Sequence, residues 1–195
     1  MNFDETKERF TATINEITEN LQRNAEIIDF EKIFRFLELL INIYTNNRMV
    51  FIYGAGRSGF IGRSFAQRLM HLGFKACFIS DTVTYRYKAE DLLIIISGSG
   101  ETLTPSAIAK KAKDMGGKVV LFTANPLSTI AHLSDLTVQI EGKSKDKAMV
   151  NKTLAPYTSL FDISTLAVLD SIGGIIMKRL GVTEEQIDTR HASIE

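Results

Sequence analysis

The chain has 195 residues, with 23 Lys+Arg against 23 Asp+Glu, so its formal net charge is zero and it lacks the basic balance of a general nucleic-acid binder. At 45% hydrophobic and 24% charged residues it has an ordinary globular composition, with length enough for one domain and a sizeable core. Met1-Asn2-Phe3-Asp4-Glu5-Thr6 has no basic stretch followed by an apolar core, no apolar run approaches the roughly 20 residues of a bilayer span, and the single cysteine, Cys77, excludes an internal disulfide and a cysteine-based metal cluster. The expectation is a cytoplasmic protein with neither a membrane nor a nucleic-acid partner.

Phe3, Phe10, Ile14, Ile17, Leu21 and Ile28 recur at helical spacing with charged residues between them, which predicts a long amphipathic N-terminal helix. It precedes every strand, and packs either on the core or on a second subunit. A second helix is expected from about Phe30 to Tyr44, ended by Asn46-Asn47. From Met49 short apolar runs alternate with helices. Strands are expected at Met49–Tyr53, Lys75–Ile79, Leu92–Ile96, Lys118–Thr123 and Leu136–Ile140. Helices are expected at Phe60–Leu72, closed by Gly73, at Pro105–Met115, closed by Gly116-Gly117, and at Leu127–Leu133. This alternation implies a parallel sheet covered on both faces. The polar stretch 142–152 reads as a loop, Thr158–Leu180 as a long apolar helix, and Thr183-Glu184-Glu185 as the start of a last short helix. One domain results, with N-terminal helices over 3–45, an α/β core over 48–141 and C-terminal helices over 156–195. Cys77 falls in a strand and reads as a small core residue.

The run Leu92–Ile96 has the length and β-branched content of a strand buried on both faces. It ends abruptly in Ser97-Gly98-Ser99-Gly100-Glu101-Thr102, and a helix follows. The glycines let backbone N–H groups approach an anion, because no Cβ stands in the way. Ser97, Ser99, Thr102 and Thr104 add hydroxyls, and the helix start adds free N–H groups and the positive end of its dipole. Together these form a cradle for a phosphate. Glu101 would repel such a ligand, so it is expected to point elsewhere. It either faces the reacting carbons of a phosphorylated substrate or simply sits in the favourable field of a helix start.

A second glycine loop, Gly54-Ala55-Gly56-Arg57-Ser58-Gly59, matches G-x-G-x-x-G between a strand and a helix. Asp81 stands where a dinucleotide fold places its ribose-binding acid, roughly 20 residues further on, so a nicotinamide site is one reading. Against it, Arg57 can reach a phosphate or sugar oxygen directly from the turn, and a dinucleotide fold does not call for a second cradle. Two cradles at neighbouring strand ends suit one compact phosphorylated ligand between them. His71, near a helix end, and His132, in a short apolar helix, read as structural, while the position of His191 by itself predicts only a solvent-exposed tail.

Both glycine loops are similar to the signatures of the SIS (sugar isomerase) domain family. More narrowly, Gly54 to Gly73 (GAGRSGFIGRSFAQRLMHLG) together with the ending Arg190-His191-Ala192 resembles the 6-phospho-3-hexuloisomerases, over most of the chain. The resemblance implies a flavodoxin-like, doubly wound five-stranded parallel sheet with an extra N-terminal helix, and a homodimer or homotetramer with shared active sites. It implies an isomerase that interconverts 3-hexulose 6-phosphate and fructose 6-phosphate without metal or cofactor, in the ribulose monophosphate route of formaldehyde fixation or in pentose supply. By resemblance to the related arabinose 5-phosphate isomerases, Arg57 stands where their turn lysine does, Glu101 matches their acid after the serine-glycine loop, and His191 matches their C-terminal histidine. The implied roles give Ser58, Ser97, Ser99 and Thr102 the phosphate, with Gly56 and Gly98 opening the loops. Glu101 is the base, Arg57 stabilises the enediolate oxygen, and His191 helps with proton transfer or ring opening.

Three places depart from the hexuloisomerase pattern. Glu-Thr-x-Thr-Pro is here Asp81-Thr82-Val83-Thr84-Tyr85, without the proline. Gln-Pro-Met-Gly-x-Leu-Phe-Glu-Gln is here Ala155-Pro156-Tyr157-Thr158-Ser159-Leu160-Phe161-Asp162-Ile163, so Asp162 replaces a glutamate. Ala148 stands where the arabinose 5-phosphate isomerases carry a further acid. If the acid at 162 is catalytic, a shift of one C–C bond bears on activity. Two alternatives therefore stand beside the isomerase: a non-catalytic phosphosugar-binding module of the same fold, and an isomerase of another phosphosugar such as arabinose 5-phosphate. The Phe3–Phe10–Ile14–Ile17 stripe and the Thr158–Leu180 helix are expected to bury subunit contacts.

Overall fold

Five short apolar runs pair into one all-parallel sheet in the computed structural model, which describes residues 1–142 and 153–193. The strands are β1 (Met49–Gly54), β2 (Lys75–Phe78), β3 (Leu92–Ile96), β4 (Lys118–Thr123) and β5 (Leu136–Gln139), in the order β2-β1-β3-β4-β5. This is the flavodoxin-like order. All of β3 from Leu92 to Ile96 is solvent-free, as an uninterrupted apolar strand in the middle of a doubly covered sheet must be.

Two helices precede the sheet, α1 (Phe3–Ile27) and α2 (Phe30–Thr45). The crossovers carry α3 (Arg57–His71), α4 (Leu103–Asp114) and the single turn α5 (Thr129–Leu133). The chain closes with α6 (Ser159–Leu180) and α7 (Glu184–Asp188). Period-2 alternation divides each strand between two cores. Val50, Ile52, Ile94 and Phe122 pack with α2, α3 and α6, while Phe51, Leu93, Ile95 and Leu121 pack with Ala109, Ala112 and Ile130 of α4 and α5. Phe36 of α2 meets Phe122 edge-on at 5.2 Å, fixing α2 against the sheet.

Two helices start earlier than expected. α3 begins at Arg57, because Gly56 completes the turn with φ 56°, a conformation side chains resist. α4 begins at Leu103 and holds Pro105 in its first turn, where the missing N–H has no intrahelical partner anyway. The long apolar α6 also corrects an expectation. By length and composition it could cross a bilayer, although Asp162 and Asp170 interrupt it, and half of its apolar window is buried inside the fold.

α1 behaves differently from its pattern. Phe3, Phe10 and Ile14 are exposed, and the buried residue of the helix is Asn24. Polar side chains attach it instead. Asn24 donates to the Glu141 carbonyl oxygen at 2.7 Å and accepts from the Glu141 N–H at 2.7 Å, while Asn20 donates to Ser164 Oγ at 2.8 Å. Glu16 Oε2 accepts from the N–H groups of Leu154 and Ala155 at 2.8 and 2.6 Å. The first helix thus grips the segment that leads into α6.

Candidate active site

Parallel register sets Gly54 beside Ile96 at the C-terminal ends of β1 and β3. Strand order reverses between these two strands, and open α/β sheets leave a crevice at such a point. Both glycine loops open onto it. A Cβ on Gly54 would lie 2.7 Å from the Ser58 carbonyl oxygen, so the first loop closes only around a bare α-carbon. In the second loop Gly100 has φ 66°, and a Cβ there would collide with Ser128 Oγ.

The loops and the start of α6 enclose a cavity of about 310 Å³. Gly56, Arg57 and Ser58 line one side, Ser97, Gly98, Ser99 and Thr102 the second, and Thr158, Phe161 and Asp162 the third. Three helix N-termini therefore meet at one opening. Among the described residues, none of α3, α4 and α6 has a side-chain cap, and apart from the Gly59 and Ser159 N–H groups, which donate to the Gly56 and Pro156 carbonyl oxygens, their first-turn N–H groups can serve a ligand. The hydroxyls suit the same purpose. Ser97 Oγ accepts from the Gly100 N–H and Ser99 Oγ from the Glu101 N–H, each at 3.2 Å, which leaves both O–H protons to donate.

Asp162, in the first turn of α6, is buried, whereas the Arg57 side chain is 61% exposed. Arg57 Nε donates to Asp162 Oδ2 at 2.8 Å, and Thr158 Oγ1 donates to the same oxygen at 2.7 Å. Asp162 Oδ1 is buried with no hydrogen-bond partner among the described residues. Thr158 itself has φ 63°, in the left-handed region. The cavity thus brings together a cation, a buried carboxylate and a set of anion-binding donors.

Two residues expected at the site stand away from it. Glu101 does not line the cavity; its Oε1 accepts from the Thr129 N–H at 2.8 Å and its Oε2 from the Thr129 hydroxyl at 2.6 Å. The Thr129 hydroxyl, and then its N–H, hold the Glu101 carboxyl below the usual carboxylate range. His191 lies at the opposite end of α3. Its ring stacks on His71 at 5.2 Å, and Arg190 Nη1 beside it donates to the His71 carbonyl oxygen at 2.8 Å. Fifteen residues of helix separate Arg57 from that end, a rise of about 20 Å. His191 therefore lies at the far end of α3 from its own chain's cavity. Ala148 lies outside the described residues, as does most of the expected 142–152 loop.

Asp81, the candidate ribose acid, is taken by Arg63 at 3.0 Å, and the Arg63 guanidinium lies 4.0 Å over the Phe78 ring. Only Oδ1 of this half-exposed carboxylate is paired with the first crossover helix. The sequence reading passed over Thr158 as well as Glu16, Asn20 and Asn24. The two asparagines, four residues apart on one helix face, were the available signal, since polar residues at that spacing form a row.

The chain belongs to the SIS domain family, which matches residues 43–167. Among its relatives, the protein named 3-hexulose-6-phosphate isomerase from Methanocaldococcus jannaschii is 40% identical over 158 residues, 81% of this chain and 83% of that protein. The protein of the same name from Bacillus subtilis is 36% identical over 186 residues, 95% of this chain and 98% of that protein. A crystal structure of a Methanococcus jannaschii protein, from which a 3-hexulose-6-phosphate isomerase function was inferred, superposes with a TM-score of 0.78 at 35% identity, covering 96% of this chain and 99% of that one.

Proposed function

We propose that this chain is a phosphosugar isomerase that interconverts 3-hexulose 6-phosphate and fructose 6-phosphate. The observation that carries the reading is the cavity at the β1/β3 switch point, where three uncapped helix starts and a row of hydroxyls meet Arg57 and the buried Asp162. The relatives named 3-hexulose-6-phosphate isomerase, at 36% and 40% identity, support the choice of sugar.

In this reading Ser58, Ser97, Ser99 and Thr102 hold the phosphate with the loop N–H groups. The sugar chain then extends toward Arg57 and Asp162. Moving the carbonyl from C3 to C2 removes the C2 proton, forms an enediolate across C2 and C3, and returns a proton to C3, while the remaining hydroxyl proton passes between the two oxygens. The Arg57 guanidinium, with only Nε engaged among the described residues, offers its other N–H groups to the enediolate oxygen. Glu101 is the proton carrier, parked on Thr129 in the free protein and turned to the cavity mouth when a ligand fills it; catalytic hydrogen bonds are commonly formed only in the complex. His191, about 20 Å from its own cavity, serves the site of a neighbouring subunit. The exposed Phe3, Phe10 and Ile14 stripe supplies apolar area for such an assembly in the cytoplasm.

The test is an isomerase assay on 3-hexulose 6-phosphate that follows fructose 6-phosphate by a coupled reduction, with arabinose 5-phosphate in parallel. Turnover of the hexulose phosphate that is lost in Glu101→Gln is the expected result. Full activity in that variant removes the assigned base. A second reading, a non-catalytic phosphosugar-binding module, draws on the pairing of Glu101 with Thr129. It takes the lead if neither sugar turns over but both raise the melting temperature.

A further inference from the structure

Two non-glycine residues among those described have positive φ, Asn47 at 55° and Thr158 at 63°. Asparagine tolerates this region, whereas a β-branched threonine is strained in it. The strain at Thr158 falls beside the cavity, where the hexuloisomerase pattern carries glycine. Four residues later the same pattern carries glutamate and this chain carries Asp162. The two departures are in contact. The Thr158 hydroxyl donates to Asp162 Oδ2 at 2.7 Å, sharing that oxygen with Arg57 Nε at 2.8 Å. A glycine could not make this bond. The shorter aspartate recedes by about one C–C bond, and the threonine hydroxyl meets it there.

The result is an asymmetric carboxylate. Oδ2 is held twice, and Oδ1, in a residue that lines the cavity, is buried without a partner among the described residues. A buried acceptor left unpaired destabilises the empty site, and a donor that arrives with the ligand removes the defect. Phosphate oxygens are acceptors, so they are repelled there. The hydroxyls of a sugar are donors.

We propose that Thr158 and Asp162 form a matched pair that sets the sugar specificity of this site: Thr158 fixes Oδ2, and Oδ1 accepts a hydrogen bond from a hydroxyl of the bound sugar phosphate. The proposal rests on the phosphosugar reading above and adds to it a specificity-determining acid and a positioning threonine. Sites that hydrogen-bond a substrate hydroxyl discriminate strongly against analogues that lack it, so the pair distinguishes sugars while the helix starts hold the phosphate common to all of them.

The experiment is calorimetric titration of fructose 6-phosphate and of inorganic phosphate into the full chain, as wild type, Thr158→Val, Thr158→Ser, Asp162→Asn, Asp162→Glu and the double variant Thr158→Gly with Asp162→Glu. Valine keeps the shape and the backbone strain of threonine and deletes only the hydroxyl. Thr158→Val is expected to weaken fructose 6-phosphate binding about 10-fold, the loss of about one hydrogen bond to a charged group, and to shift inorganic phosphate less than about 2-fold. Thr158→Ser stays within about 2-fold of wild type for both ligands, since the hydroxyl is retained. Asp162→Glu alone weakens the sugar phosphate, and adding Thr158→Gly recovers affinity, a coupling that independent sites would not show. In the isomerase assay the Thr158→Val effect falls on KM more than on kcat. If Thr158→Val and Asp162→Asn bind fructose 6-phosphate as tightly as wild type while phosphate still binds, the pair has no role and the phosphosugar site stands. If the wild type binds neither ligand, the phosphosugar reading falls, and the pair with it.

Discussion

Two sets of helix starts in this molecule are built in opposite ways. Asn2, Asp29, Ser128 and Thr183 each cap a helix, α1, α2, α5 and α7, with a side-chain oxygen on a first-turn N–H. Gly56, Thr102 and Thr158 stand at the cap positions of α3, α4 and α6, and none of them caps with its side chain, although threonine is well able to. The three open starts are the three that border the cavity. A cap contributes about 1 kcal/mol, so forgoing it at three ends is a loss of stability concentrated at one place. A ligand with several acceptor oxygens recovers that loss on binding. Helix ends that only need to be stable are thus closed by the chain itself, and helix ends left for a ligand are not.

The contrast can be broken most severely at its charged centre. Arg57→Ala removes the cation from the cavity and one of two donors from Asp162 Oδ2. A fall in kcat/KM of about 100-fold or more is expected in the isomerase assay, on the scale of losing one donor to a developing oxyanion. The sharper test closes an open end. Thr102→Asp gives α4 a good N-cap on a backbone already extended, φ −68° and ψ 129°, and places a carboxylate in the phosphate cradle. The melting temperature should rise by about 2–4 °C, while affinity for inorganic phosphate falls about 10-fold or more. A variant that gained stability and kept its affinity would show that the α4 start takes no part in binding.

The reciprocal change removes a cap far from the cavity. Asp29→Ala deletes the acceptor for the Lys32 N–H at the start of α2. Thermal unfolding should fall by about 2–4 °C, with phosphate affinity unchanged. The smallest effect concerns pH. Because Thr129 depresses the Glu101 pKa, ionised Glu101 contributes stability that is complete above the ordinary carboxylate range and is lost as pH falls through the depressed value. Thr129→Val removes the hydroxyl donor and leaves the N–H. The Glu101 titration midpoint, followed by carboxyl NMR, should then move up toward the ordinary value, and the acidic limb of the rate profile should move up with it.

The phosphate side of the site was legible before any coordinates. Ser97, Gly98, Ser99 and Thr102 follow a strand that is apolar throughout, and Gly56 and Ser58 follow another, so each cradle is a local strand–turn–helix event. That the two lie side by side did not follow from alternation, because β2 lies between β1 and β3 in the chain; it rested on the flavodoxin-like sheet that the family resemblance implied. The reactive side was not legible in the same way. Arg57 and Asp162 are 105 residues apart, and nothing in the periodicity around either residue points to the other. Glu101 was read with its immediate neighbours, but its partner is Thr129, 28 residues on, at the start of the short helix α5. Likewise the apolar stripe of α1 was legible and its face was not, because Glu16, Asn20 and Asn24 find backbone partners beyond Ile140.

Sequence alone determined the elements, the sheet class and the two anion-binding turns of this protein, since helix period, strand alternation and glycine conformation act over a few bonds. Tertiary structure alone decided which carboxylate enters the cavity, which one is held at Thr129, where His191 comes to rest, and that Thr158 is left-handed. Those outcomes depend on how α1, α3 and α6 cross the sheet, and a hydrogen bond reaching about 3 Å registers that crossing at a scale no local pattern encodes.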